Sequence, residues 1–322
     1  MTRSENALVE RGSPDPFVHP ALFYRNPGEY LAGVGGFVDG ALEAGDPVLV
    51  AVPGPRLEML REHLGDTAAS DRLTLVDMTG FGRNPGRGLS GLCDFADRHP
   101  GRTTRIVGEP IWARRSPAEL VEATRHEALI NAAFTGRDAT VLCPYDVRGL
   151  PPLVCADARR THPVLWEDGR ERPSPHYTDP RALSAECDTL PLAPPPAHPR
   201  ALPFATGDLG EVRHHADAWA GATGLGMPRR GDFVLAVAEA AANSIAHGGG
   251  SGTLRLWSDG LSCVAEIRDG GHLTDPLAGR RRPTLDSANG GRGLWMMHQL
   301  CDLVETRATP AGLTVRLHMD HS

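Results

Sequence analysis

Pro191, Pro194, Pro195, Pro196, Pro199 and Pro203 fall close together, and no other feature of the sequence constrains the fold as strongly. Proline fixes φ and has no backbone N–H, so such a tract favours extended polyproline conformations and cannot join a core sheet. It splits the chain into two parts that must each bury a core of their own. A chain of 322 residues is long enough for both. The expected organisation is a disordered N-terminus over residues 1–16, a first domain over 17–187, a proline-rich linker over 188–203 and a second domain over 204–322.

The first domain alternates short apolar runs with helical patterns. Pro47–Val52, Leu73–Met78, Thr103–Val107 and Thr140–Cys143 read as strands, and Gly28–Ala44, Arg56–Leu64 and Pro117–Phe134 as helices. This alternation predicts an α/β fold with a parallel sheet covered by helices. Past the linker the order changes. Asp208 can cap a helix running to Ala222, and a second helix spans Arg229–Ala246. Thr253–Trp257 and Cys263–Arg268 form a hairpin across Asp259-Gly260. A loop rich in Gly, Pro and Arg covers Gly270–Arg292, a short helix starts near Gly293, and Leu303–Thr306 and Leu313–His318 close the domain. Helices on one face of a mostly antiparallel sheet make a two-layer α+β sandwich.

Composition removes several function classes. All 33 basic residues are arginine. A P-loop ATPase needs a lysine on its phosphates, a eukaryotic-type kinase needs its strand lysine, and a Schiff base needs a lysine amine. An all-arginine chain is also what a very GC-rich genome produces. A net charge of −7 without a basic stripe argues against direct nucleic-acid binding. No apolar stretch is long enough to span a membrane and no signal core is present, so a cytoplasmic location is expected. The six cysteines make no CxxC pair and read as buried small hydrophobes.

Three segments of the second domain carry the chemistry. In LAVAEAAANSIAHGGG, Glu239, Asn243 and His247 are spaced by four and share one helix face, opposite Val234, Val237, Ala241 and Ile245. In AEIRDGG, Asp269 ends a strand and is followed by two glycines. In NGGRGLWMMHQLCD, a glycine-rich loop runs into an apolar helix whose first N–H groups form an anion site. Each alone is commonplace: an amphipathic helix, a turn, a loop.

In this order and spacing the three resemble the N, G1 and G2 boxes of the GHKL (Bergerat) ATPase/kinase superfamily, and the branch they resemble is that of the bacterial anti-sigma-factor serine kinases. The resemblance implies ATP and Mg²⁺ as cofactors. It implies that Asn243 ligates Mg²⁺, a hard cation that prefers oxygen donors, and that Glu239 acts as general base. Asp269 is implied to accept from the adenine amino group, with Gly271 letting the backbone approach the base. Gly291 and Gly293 are implied to wrap the phosphates, with the N–H groups of Gly293 and Leu294 turned toward them, and Thr314 to reach the adenine pocket. Arg280–Arg282 lie in the implied lid, where a solvated face is expected. His247 reads as a residue favoured at a helix C-terminus. By the same resemblance the partners are a sigma factor and an anti-sigma-factor antagonist, and the assembly a homodimer. His214 and His215 lie one helix before Glu239 and lack the helical hairpin of a histidine kinase's phosphoacceptor.

The first domain resembles the MEDS sensory domain through HPALFYRNPGEYL from His19, DMTGFGRNPGRG from Asp77, VGEPIW from Val107, HEALINAAF from His126 and CPYD from Cys143. This implies a RecA-like α/β fold used for sensing. His19, Glu109, His126 and Cys143 mark either a small-molecule or metal pocket at the carboxyl ends of the strands or structural hydrogen bonds; their irregular spacing argues against a metal. Glu127 and Asn131 repeat the N-box spacing without the later boxes, and are assigned no nucleotide role. The glycines near Gly33 are assigned none either.

The function expected is an anti-sigma regulatory serine/threonine protein kinase under sensory control. A non-catalytic ATP-dependent partner-binding module, or a histidine-kinase-like ATPase without a phosphoacceptor hairpin, are the alternatives.

Overall fold

The computed structural model describes residues 15–283 and 291–321. The expected N-terminal disorder therefore falls largely outside the described residues. Asp15, at the start of the described chain, accepts from the backbone N–H groups of Phe17 and Gly136 at 3.0 Å each.

The first part of the chain runs β1 (Pro20–Tyr24), α1 (Pro27–Tyr30), a π-helical turn (Leu31–Gly35), α2 (Gly36–Glu43), β2 (Val48–Val52), α3 (Gly54–Leu64), β3 (Leu73–Asp77), α4 (Met78–Phe81) and α5 (Pro85–Asp97). It continues through β4 (Thr104–Gly108), α6 (Pro117–Phe134), β5 (Ala139–Asp146), α7 (Pro152–Thr161), β6 (Val164–Glu167), β7 (Arg170–Pro173) and α8 (Pro180–Thr189). The strands form one sheet in the order β3-β2-β4-β5-β1-β6-β7, parallel except for β7. Every residue of β2, VLVAV, is buried, as required of a strand covered on both faces. The α/β expectation holds, with β1 as an added inner strand. Ser116 and Glu119 start α6 with a reciprocal capping box. The Gly28–Ala44 pattern is one helical stretch interrupted by the π turn. Gly33 lets that turn approach the sheet: a Cβ there would lie 2.5 Å from Leu22 Cδ2.

The second part runs β8 (Arg200–Ala205), α9 (Leu209–Ala222), α10 (Arg229–His247), β9 (Ser251–Ser258), β10 (Ser262–Asp269), α11 (Arg292–Leu300), β11 (Leu303–Thr309) and β12 (Gly312–Asp320). Its sheet has the order β11-β12-β10-β9-β8 and is antiparallel throughout. One core, with Phe233, Val237, Ile267, Leu317 and Met297, lies between this sheet and its helices. The α+β sandwich expectation holds.

Two local readings change. The end of the proline tract forms β8, with Pro203 opposite Thr253. An edge strand tolerates proline because its outer side needs no N–H donor. Asp208 precedes α9 but makes no side-chain cap bond to it; its carboxylate accepts from Ala205 N at 2.8 Å instead.

Candidate functional site

Alanine-rich α10 lies close against its sheet, with Ala236, Val237, Ala240 and Ala241 buried. Glu239 and Asn243 stand on its half-buried flank. They converge on the start of α11: a Cβ at Gly293 would lie 2.8 Å from Glu239 Oε2 and 3.1 Å from Asn243 Nδ2. Glycine lets α11 begin there without displacing either side chain. Gly291, at φ +89°, is the residue before α11's first turn, a left-handed conformation that also favours glycine. The N–H groups of Gly293 and Leu294 belong to that first turn, which has no intrahelical acceptors for them.

Asp269 sits at the end of β10, and its two oxygens are held separately. Oδ1 accepts from Gly271 N at 2.7 Å and Oδ2 from Ser244 Oγ at 2.5 Å. Ser244 follows Asn243, so the strand end and the helix flank are pinned together. Glycines wall the carboxylate: a Cβ on Gly248 would lie 2.5 Å from Asp269 Cγ, and one on Gly271 2.8 Å from Oδ1. Thr314 does not join this group. It pairs with Arg268, while Leu313 pairs with Asp269. Strand residues alternate faces, and Leu313, Val315 and Leu317 pack on the helix side, so Thr314 points to the opposite face. His247 is exposed at the end of α10.

The described part of the loop leading to α11, up to residue 283, docks on the first domain, and Arg280 departs from the solvated face expected for Arg280–Arg282. Arg280 is buried, and its Nη2 lies 2.7 Å from Glu122 Oε2 on α6. Arg307 of β11 reaches Glu122 Oε1 at 2.9 Å, and Arg125 Nε lies 3.4 Å from Oε2. Burial alone would push the Glu122 carboxyl up, but the three guanidiniums outweigh it and hold it below the usual range. Arg281 donates to Ala132 O at 3.1 Å, and Leu277 packs into the first domain's core. Arg281 and Arg282 are exposed, as expected.

The far end of α11 is held too. Asn84 is the N-cap of α5, its Oδ1 accepting from Gly86 N, while its Nδ2 donates to the α11-end carbonyls of His298 and Cys301 at 3.0 and 3.2 Å. Arg87 donates to the same two carbonyls. Gly86 permits the approach, since a Cβ there would meet the His298 ring at 2.1 Å.

A cavity of about 260 Å³ opens at the carboxyl ends of β1, β2, β4 and β5, lined by Tyr24, Arg56, Glu109, Ile111, Trp112 and Asp146 among others. The strand order reverses between β2 and β4, and such switch points are where open α/β sheets bind ligands. Of the first-domain residues named from sequence, Glu109 alone lines this cavity. It is buried and accepts from Tyr24 Oη at 3.2 Å. Burial pushes its carboxyl up to about 8, with Arg56 pulling the other way. A folded pKa above the unfolded 4.5 means stability that is complete below about pH 4.5 and lost as pH rises toward 8. Relative to Glu109→Gln, the wild type should therefore lose about 1.4 kcal/mol per pH unit across that window. Urea denaturation at pH 5 to 8 reads this directly; parallel pH profiles would show that Glu109 is not buried as an acid.

His19 and Cys143 do not line this cavity: His19 precedes β1, Cys143 stands within β5, and the two lie beside Glu127 and His162. His126 is buried on α6 and faces Gly88 of α5; burial lowers its pKa to about 4 and keeps it neutral. Sequence reasoning missed Glu122, Asn84, Arg87 and His162, none of which stands in a chemically suggestive local pattern.

Residues 18–163 match the family model of the methanogen/methylotroph, DcmR sensory domain (MEDS), and residues 202–319 match that of the histidine kinase-like ATPase domain. No curated protein matches the chain. Among the described residues no helix is long and apolar enough to cross a membrane.

Proposed function

We propose that this chain, whose residues 18–163 match the MEDS sensory-domain model and residues 202–319 the histidine kinase-like ATPase model, is a serine/threonine protein kinase acting on an anti-sigma-factor antagonist, with the sensory domain setting its rate. In the antagonist's absence the same domain would hold a sigma factor. The observation that carries this reading is the convergence of Glu239, Asn243 and the first turn of α11 on one point, with Asp269 pinned to Ser244, the residue after Asn243. These residues fit a magnesium nucleotide. Asp269 offers acceptor oxygens within glycine walls suited to a flat base. Asn243 offers an amide oxygen, and Gly293 and Leu294 offer N–H groups at a helix start.

Bound Mg²⁺-ATP would supply the phosphoryl group and the counter-charge its transfer needs. The chain's own residues do the rest. Asp269 orients the base through its exocyclic amine and repels a carbonyl at that position. Glu239 takes the proton of an incoming hydroxyl. A partner serine is favoured over an internal histidine because α9, which bears His214 and His215, packs on α10 within the domain's own core.

Control runs through contacts between the domains. Trp112 lines the sensory cavity and lies under Arg115, whose guanidinium carbon is 3.6 Å from the ring centroid. Arg115 donates to the carbonyls of Gly82 and Arg83, next to Asn84, which caps α11. A small ligand with an apolar body and polar groups for Arg56, Asp146 and a neutral Glu109 would press on this chain.

The test is incubation of the full-length protein with radiolabelled ATP, Mg²⁺ and a candidate antagonist. Label should appear on an antagonist serine and vanish with Asn243→Ala. Nucleotide binding without transfer to any partner would leave a binding module instead, and acid-labile label on the protein itself would favour a histidine kinase.

A further inference from the structure

We propose that the first domain holds one Zn²⁺ ion in a closed site made by His19 Nε2, Glu127 Oε2, Cys143 Sγ and His162 Nε2. The four side chains are fully or almost fully buried, and their ligand atoms lie within 4.8 Å of one another. They come from four places: the residue before β1, α6, β5 and the residue after α7. The site lies apart from the sensory cavity, with which it shares no residue.

The hydrogen bonds behind the histidines fix which ring nitrogen faces inward. Asn131 Nδ2 donates to the backbone carbonyls of Thr161 at 2.8 Å and Ala128 at 3.2 Å. Its Oδ1 is thereby turned to His19 Nδ1, 3.1 Å away. An amide oxygen only accepts, so His19 Nδ1 carries the proton and Nε2 of the neutral ring bears a lone pair. The same logic holds for His162. Its Nδ1 lies 2.8 Å from Ala158 O and 2.8 Å from Thr161 Oγ1. A carbonyl oxygen only accepts, so His162 Nδ1 is the donor there as well. In the Nδ1–H tautomers both Nε2 atoms therefore turn their lone pairs into one space. This is the outer-shell arrangement that orients metal-bound histidines.

That space also receives the carboxylate and the sulfur. Glu127 Oε2 lies 3.1 Å from His162 Nε2 and 3.4 Å from His19 Nε2, and Cys143 Sγ lies 3.4 Å from His19 Nε2. Among the described residues neither Glu127 oxygen nor His162 Nε2 has a hydrogen-bond partner, so the 3.1 Å approach is off the line an N–H···O bond requires. Electron pairs gathered in a dry core, with the Cys143 thiol as the one donor among these four side chains, call for a cation.

The donor set selects its class. Two imidazoles, a thiolate and a carboxylate suit zinc in tetrahedral geometry. Bond lengths of about 2.0–2.3 Å place neighbouring ligands roughly 3.3–3.8 Å apart; the three separations to the His Nε2 atoms, 3.1, 3.4 and 3.4 Å, lie close to that range, and all lie within 4.8 Å. Binding exchanges the Cys143 thiol proton for the metal: Zn²⁺ plus thiol gives the zinc thiolate and a released proton. With the Glu127 carboxylate, the site is then electrically neutral. Its effect is to tie β1, α6, β5 and the end of α7 together, and α6 also bears Glu122, which holds Arg280.

The test uses the intact chain, stripped with a chelator and titrated with Zn²⁺ or Co²⁺. One equivalent of Zn²⁺ should bind and raise the melting temperature. Co²⁺ should give the visible bands of a tetrahedral centre together with a near-ultraviolet thiolate charge-transfer band. Cys143→Ser should abolish that band, and His162→Gln should weaken Zn²⁺ binding by more than about 100-fold, each with an unchanged far-ultraviolet circular dichroism spectrum. The Co²⁺ spectrum of the wild type decides the matter even if a variant does not fold. No stoichiometric binding, a Co²⁺ complex lacking the thiolate band, or undiminished zinc affinity in folded His162→Gln would each overturn the proposal.

Discussion

Glu122→Ala is expected to destabilise the protein by about 3–5 kcal/mol and, at the same time, to speed nucleotide capture. The first effect follows from what the carboxylate holds. Glu122 is fully buried among Arg125, Arg280 and Arg307. Arg125 has Asp188 as a second partner at 3.0 Å, but among the described residues the buried Arg280 has no other carboxylate in its ion pairs. Its removal leaves buried cations uncompensated, the costly way to break such a cluster. The second effect follows from where Arg280 lies. It stands in the loop between Asp269 and α11, so losing its anchor frees the segment beside Glu239 and Asn243. If the docked loop is the less competent state, nucleotide association should rise by about 5- to 150-fold, the usual span of coupling energies. Denaturation and stopped-flow binding of a fluorescent ATP analogue measure the two effects separately. A loss of stability with unchanged nucleotide kinetics would make Glu122 a structural anchor and nothing more.

What the sequence disclosed, and what it did not, divides by the range of the interaction. Strands such as VLVAV are legible because an unbroken β-branched run has few other homes. The residues facing α11 were legible because spacing along a helix and glycines at tight approaches are local properties. Glu239, Asn243, Asp269 and Gly293 lie close together, with gaps at Gly293 and Gly271 that a Cβ would fill. By contrast β1 escaped because a proline begins it and its breadth comes from neighbours on both sides, β5 and β6. Helix α5, with the sequence PGRGLSGLCDFAD, looks like a loop. Its glycines are there for contact, Gly86 against His298 and Gly88 against His126.

The same division explains the errors. Arg280 looked solvated, like its exposed neighbours Arg281 and Arg282, because nothing within reach along the chain pairs with it and its partner is 158 residues away. Thr314 was misplaced by one residue, and in a strand one residue is the other face. Glu127 and Asn131 looked like a stray copy of the N-box spacing. That spacing does put them on one face of α6, but the face meets His19 and His162. A helix offers the same geometry to any chemistry, and the elements packed against it decide which.

Glu239→Gln should leave ATP affinity nearly unchanged and cut phosphoryl transfer by about 10²- to 10⁴-fold, the range of a positioned general base. Glutamine keeps the size and hydrogen-bonding reach of the side chain, so the cradle around Gly293, where Glu239 Oε2 and Asn243 Nδ2 would lie 2.8 and 3.1 Å from a Cβ, should persist. What is lost is the capacity to take a proton. The expected size also weighs one mechanism against another. In a loose phosphoryl-transfer transition state the nucleophile is barely deprotonated, so most of the acceleration comes from positioning and charge. A fall near the bottom of the range would accord with that, with Glu239 acting chiefly to orient the hydroxyl. Single-turnover transfer, measured with saturating nucleotide and alongside equilibrium ATP binding, separates the two. Loss of binding in parallel with transfer would move Glu239 into the nucleotide-holding set. Undiminished transfer would remove it from the chemistry, leaving Asn243 and the first turn of α11 as the groups acting on the phosphates.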